Sequence, residues 1–256
     1  FIFQAVFCGT AATILSGGIA ERATFIGYLL IAAITALIIH PVFGRLAWNG
    51  LFEGEAAGWL NSRGFIDFSG SSVVHSTGGW IALAAIIIIG PRIGRFKKGL
   101  PPIQGHNIPM ATVGVIILWF GWMGFNGGSL ITVDFSIAKI ILNTNISAAS
   151  GGIMTLLISW ALHKKPNVGH ILNGVLAGLV SITACCHAVV PYEASLIGLL
   201  GACIYFLAFR CMERLKLDDA IGVVPVHAMC GVWGTLCVVF FADPKILATG
   251  LNFVDQ

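Results

Sequence analysis

The sequence predicts an all-α integral membrane protein, a helical bundle of about eight spanning segments that carries an inverted repeat. Three observations lead there. Hydrophobic residues fill 57% of the 256 positions and charged residues only 10%, with a mean hydropathy of +0.92, far from the balance of a water-soluble domain. Uninterrupted apolar runs approach the roughly 20 residues that a spanning helix needs, and the strict alternation of a membrane barrel is missing. Two histidine-bearing stretches, 73–80 and 225–233, echo each other and cross in opposite senses.

Glycine, proline and charge punctuate the apolar runs. The spans they leave lie near 1–19, 25–48, 69–90, 109–128, 147–162, 171–189, 194–213 and 221–242. Alternate connections then share a side. One set holds Arg22, then Arg92, Arg95, Lys97 and Lys98, then Lys164 and Lys165, then Arg210, Arg214 and Lys216, which is ten of the 14 Lys and Arg. The positive-inside rule makes these connections cytoplasmic and places Phe1 outside. The connections 49–66, with Glu53 and Glu55, and 129–146 are therefore exterior. Glycine pairs within spans (Gly17-Gly18, Gly78-Gly79, Gly127-Gly128, Gly151-Gly152) fit close helix crossings. Residues 1–256 read as a single transmembrane domain.

Several function classes fall away. The net charge of +3 is too small to imply a nucleic-acid partner, and topology accounts for the basic residues. Seven cysteines form no Cys-x-x-Cys pair and sit in apolar runs, so no disulfide framework is expected. Phe1 is preceded by no initiator methionine and followed by no basic n-region or cleavage site, which predicts no signal peptide and a start within a longer protein.

His106, His163 and His170 fall in or beside cytoplasmic connections, where a solvated role is expected; His40 and His187 are less clear. His75 and His227 lie inside spans, where an ionisable group is a functional candidate by default. The competing reading is a neutral core histidine bonded to a carbonyl. Phe7, Trp48, Phe125 and Ser129 fall toward the outer ends of their spans. They fit either an outer vestibule for a small cation, held by cation–π contact, or an aromatic belt at the interface.

With those residues in place, the chain resembles the ammonium transporter family (Amt/Mep/Rh). The matching stretches are Phe3-Gln4-Ala5-Val6-Phe7, Ala20-Glu21-Arg22-Ala23-Thr24-Phe25, Asp67-Phe68-Ser69-Gly70 through Val73-Val74-His75, Gly105-His106-Asn107-Ile108-Pro109, 121–129, Asn173-Gly174-Val175-Leu176-Ala177-Gly178, and Asp218-Asp219 through Val226-His227. The resemblance implies a homotrimer in the cell (inner) membrane. Each subunit has its own pore, built on five helices plus five, and this chain supplies about eight of eleven transmembrane helices. It implies that Trp48, Phe7 and Ser129 form the outer ammonium-recruitment site, with Asp67 as its structural support. Phe7 and Phe125 match a phenyl gate, Trp122 a pore-lining aromatic beside it, and His75 and His227 the paired pore imidazoles. No cofactor, metal or catalytic residue is implied. A cytoplasmic regulatory protein or a fused signalling domain is an expected partner.

The chain departs from the family pattern at Gly222, where an acid is common, and at Pro225 and Ala228, where glycine is common. These departures put the entrance of the last helix in question. Two alternatives stay open: an ammonium sensor joined to a histidine kinase or similar output, and a redox subunit using histidines for haem or the Cys185-Cys186-His187 cluster for a metal.

Overall fold

Eight long helices appear in the computed structural model, which describes residues 2–50, 56–100 and 103–248. They are α1 (Ile2–Gly18), α2 (Phe25–Trp48), α3 (Ser71–Ile89), α4 (Ile108–Leu130), α5 (Ser136–His163), α6 (Val168–Ile182), α7 (Pro191–Arg214) and α8 (Val224–Phe241). Six of them are long and apolar enough to cross a membrane, and α1 and α6 are shorter apolar helices. Glu53 and Glu55 lie outside the described residues.

Two boundaries differ from the sequence expectation, and both have the same cause. The expected exterior connection 129–146 is mostly helix, because α5 starts at Ser136. Its first turns carry Lys139, Asn143, Thr144 and Asn145, which read as loop; the three uncharged ones hydrogen-bond within the bundle. Asn143 Nδ2 donates to the carbonyls of Cys186 and Val189 at 2.9 Å each, Asn126 donates to Thr144 at 3.0 Å, and the Trp119 indole donates to Asn145 at 2.8 Å. Conversely, the apolar run expected to continue a helix to 189 leaves it after Ile182. Unwound backbone at membrane depth survives only where protein satisfies its polar groups. Here Asn143 does so, together with Phe68 N–H on the Ala184 carbonyl, Ser69 N–H on that of Thr183 and Asp243 N–H on that of Ala188.

The centre of the bundle is the crossing of α3 and α8. Ser72 bonds Thr235 at 2.5 Å, Ser76 donates to the Ala228 carbonyl at 3.1 Å, Gly79 faces Ala228 and Gly231 faces Ser76. Partner numbers fall as residue numbers rise, so the two helices are antiparallel, as the sequence echo requires. A side chain at Gly79 or Gly231 would run into the opposing backbone. These two glycines therefore set how closely the helices approach.

On the basic side, Asp218 joins three connections. Its side chain is fully shielded and accepts from Arg92 Nε at 2.8 Å, from Arg92 Nη2 at 3.0 Å and from the Arg92 backbone N–H at 2.9 Å, while Arg95 Nε lies at 3.3 Å. Arg22 Nη2 donates to the Asp218 carbonyl at 2.5 Å. Burial alone raises the Asp218 carboxyl, but the Arg92 bonds outweigh it and hold it below its ordinary range. A depressed carboxyl stabilises the fold above the unfolded-state pKa, and that contribution is lost as pH falls through the folded one. Asp218→Asn removes the shielded carboxylate shared by Arg92 and Arg95, leaving them to Glu21 and Glu213, and is expected to cost roughly 3 kcal/mol near neutral pH. The difference from wild type should begin to shrink below about pH 4, where the carboxyl of the unfolded chain takes up its proton, and close only as pH falls through the lower folded value; thermal unfolding in detergent across pH measures it.

Candidate functional site

Both histidines of the sequence echo sit on π-helical turns at the start of their helices, His75 on Ser71–Ser76 and His227 on Val224–Met229. A helix starting inside a bundle leaves its first N–H groups without partners. One carboxylate supplies them at each start. Asp67 Oδ1 accepts from Gly70 and Ser71 at 3.0 and 2.8 Å, and Oδ2 from Ser72 and Val73 at 2.8 and 2.9 Å. Asp219 Oδ1 accepts from Gly222 and Val223 at 3.0 and 2.9 Å, and Oδ2 from Val224 at 2.7 Å. Burial raises both carboxyls, against the downward pull of these N–H bonds.

The two starts are copies offset by 152 residues, the separation of His75 and His227 themselves. Each places its aspartate eight positions and a glycine five positions before the histidine. Gly70 and Gly222 have φ of +100° and +84°, in the left-handed region that favours glycine. Gly222 therefore belongs to the cap, and the departure expected to disturb this entrance is what lets the chain turn into it. Pro225 stands where Val73 gives the fourth N–H. Lacking that donor, it needs no partner at a helix start, which leaves three bonds in the second copy. The sequence reading missed Asp219 as the counterpart of Asp67, although the shared Asp-x2-Gly-x4-His spacing was visible.

The predicted aromatic and imidazole residues come together in one column. Trp48 meets Phe7 edge-on, with ring centroids 6.1 Å apart, and Phe7 lies flat on Phe125 at 4.2 Å with planes 5° apart. Phe125 is 5.5 Å from His75, and Trp122 stacks on His75 at 4.8 Å and 12°. His75 then meets His227, Nδ1 to Nδ1, at 3.2 Å. Trp122 is held by its indole N–H on Thr183 Oγ1 at 2.9 Å, a positioning contact the sequence reading did not identify. Ser129 Oγ donates to the Phe125 carbonyl at 2.8 Å, so its lone pairs remain able to accept. Phe7, Trp48, Asp67 and Ser129 border a cavity of about 1510 Å³ that also runs between α1 and α2. Asp67 spans both levels: its carbonyl takes the Trp48 indole N–H at 2.7 Å while its carboxylate caps the turn bearing His75.

A 3.2 Å contact between two Nδ1 atoms fixes the chemistry of the pair. One nitrogen carries a proton and the other offers a lone pair, so with both rings neutral they are opposite tautomers. One Nε2 is then a donor and the other an acceptor. This direct contact leaves no room for a macrocycle between the rings, which overturns haem ligation by the pair. Among the described residues no group of three His, Cys, Asp or Glu is placed to hold a metal ion, and the His187 ring lies against Phe68 at 4.3 Å.

The remaining histidines divide. His106 and His163 are exposed as expected, and His40 is buried edge-on to Trp48 at 6.4 Å. His170 departs from its expected solvated role: it is half-buried, with Nδ1 2.8 Å from the Tyr205 hydroxyl and its ring among Phe206 and Phe209. The aromatic residues on α7 that enclose it are distant in sequence.

Asp219→Ala removes the acceptor of three N–H groups at the α8 start. The expected loss is roughly 1–2 kcal/mol of stability, with His227 displaced; thermal unfolding and the pair's imidazole ¹⁵N shifts measure it, and Asp67→Ala should act likewise on His75.

The model of the Ammonium Transporter Family matches residues 1–254. A relative from Synechocystis is 47% identical over all of this chain and 48% of its own length. Ammonium transporter Amt2 of Archaeoglobus fulgidus is 41% identical over 95% of this chain and 53% of its own. The chain thus spans about half the length of the curated relatives it matches. Among solved structures, a sensor Amt protein superposes with a TM-score of 0.91 at 47% identity, covering 98% of this chain and 63% of that one. Mep2 of Candida albicans gives 0.87 at 30% identity, over 99% and 54%.

Proposed function

Because this chain belongs to the ammonium transporter family, we propose that it forms the conducting core of an ammonium transporter, in which ammonium sheds a proton outside and ammonia passes the paired imidazoles. The observation that carries this reading is the Nδ1 contact of His75 and His227 directly beneath the stacked Phe7 and Phe125.

Ammonium and potassium ions share charge and similar size, so a pore that sorts by size cannot separate them. Deprotonation can. The Trp48 face and the Ser129 oxygen offer a cation roughly 0.5–2 kcal/mol of aromatic attraction plus a hydrogen bond, a weak site that releases what it binds. Below it, Phe7 and Phe125 close on each other with no charged side chain in the column. Carrying a bare ammonium through that layer costs many kcal/mol, whereas neutral ammonia loses only hydrogen bonds. The imidazoles restore them: a ring nitrogen bearing a lone pair accepts from ammonia, and one bearing a proton donates to it. The shared Nδ1 proton lets the pair exchange tautomers, which provides a path for the proton left behind.

The protein acts, in this proposal, as a multi-pass homotrimer of the cell (inner) membrane with the basic connections in the cytoplasm. The alternative of an ammonium sensor uses the same vestibule, and flux separates it from a transporter. In proteoliposomes under an ammonium gradient, wild type should acidify or alkalinise the lumen selectively over potassium. His75→Ala with His227→Ala should abolish that selective flux, and an unchanged selective flux would remove the imidazoles from the mechanism. Phe125→Ala, which opens the gate, should admit potassium alongside ammonium.

A further inference from the structure

Behind the turn that carries His227, three side chains from two helices form one hydrogen-bonded row. Asn173 on α6 donates through Nδ2 to the Ile221 carbonyl at 3.0 Å and to the Tyr205 hydroxyl at 3.2 Å, and that hydroxyl lies 2.8 Å from His170 Nδ1. We propose that Asn173 and Tyr205 are positioning residues for His227, and that His170 makes their hold depend on pH. The consequence for transport rests on the conduction proposed above.

The inner end of the row meets the helix start. Ile221 precedes Gly222, whose N–H donates to Asp219 Oδ1 at 3.0 Å and whose carbonyl accepts from Val226, the residue before His227, at 3.2 Å. A Cβ at Gly222 would lie 2.7 Å from Asn173 Nδ2, so the amide packs directly against this turn. A carbonyl only accepts, which fixes the Asn173 amide with Nδ2 toward Ile221 and Tyr205. The Tyr205 oxygen therefore accepts, its proton goes to His170 Nδ1, and the neutral ring keeps its own proton on Nε2.

A proton added to His170 reverses the outer end. Nδ1 becomes a donor, and the Tyr205 O–H loses its acceptor. Tyr205 is fully buried, so no water takes the place of the ring nitrogen, and a hydroxyl left unpaired there is costly. The hydroxyl finds a new partner only by turning away from its present contacts or by a rotation of the Asn173 amide, which would point Oδ1 at the Ile221 carbonyl. Either change slackens the hold on the His227 turn.

A route for the proton is present. His170 is half-buried in the first turn of α6 and lines a cavity of about 250 Å³ at the helix ends. The titratable and charged groups around it are His163, which ends α5 and stacks on it at 6.3 Å, and Arg210, Glu213 and Arg214 on α7, with Glu213 bonded to Arg95. Asp219 and Cys230 lie on the Tyr205 side of the row.

The test reads the imidazole ¹⁵N shifts of histidine-labelled protein in detergent across pH. In wild type the His227 signals should shift with the midpoint at which His170 titrates. Tyr205→Phe keeps the ring and removes the hydroxyl, so His170 should still titrate while the coupled His227 shift is lost. His170→Gln, whose Oε1 accepts the hydroxyl proton without titrating, should hold His227 at its high-pH shifts through the same range. His227 signals that stay still while His170 titrates, or that move equally in either variant, overturn the proposal. So does a His170 ring that does not titrate between about pH 4.5 and 8. The readout needs no transport, so it stands or falls apart from the proposed conduction.

Discussion

Two helices that begin inside a membrane protein, with their first N–H groups facing neither water nor a preceding turn, set the constraint on which this structure depends. Each unpaired donor at that depth costs several kcal/mol. Asp67 and Asp219 remove the problem locally, seven N–H groups between two carboxylates. Only then can the chain leave the helical register at Gly70 and Gly222 and enter π-helical turns that bring one imidazole from each half into contact. The antiparallel crossing at Gly79 and Gly231 supplies the remaining condition, a separation short enough for a 3.2 Å bond.

The same constraint links regions that look independent in sequence. Asp67 holds the Trp48 indole through its carbonyl and the His75 turn through its carboxylate, so the wall of the large cavity and the first imidazole share one residue. On the opposite face, Asp218 gathers Arg92 and Arg95 while its neighbour Asp219 caps the turn of His227. Each half therefore anchors its histidine to the surface through an aspartate or an adjacent pair, and rigid anchoring is what a proton-sharing contact between rings demands.

Much of this was legible in the sequence. The eight segments follow from apolar runs, because lipid imposes length and composition directly. His75 and His227 could be singled out because ionisable groups at that depth are costly; topology put Trp48, Phe7 and Phe125 toward one side, but an aromatic belt has the same composition, so the choice between the two, and Trp122, came only through family resemblance. What escaped was long-range satisfaction of polar groups. Asn143, Thr144 and Asn145 read as loop because their partners near 186, 126 and 119 are invisible locally. The apolar stretch after Ile182 reads as helix because hydropathy records burial, not conformation. His170 was assigned to solvent because Tyr205 and Phe206 are more than thirty residues away.

The duplicated helix starts are not equal. Val73 contributes an amide hydrogen to its aspartate and Pro225 has none to contribute, so the half-helix on the side of the basic connections is tethered by three bonds against four. A symmetric framework thereby acquires a soft side. Heat, force or a pulling ligand should loosen the helix start of His227 first, leaving His75 seated while its companion drifts, a built-in polarity in an otherwise repeated scaffold.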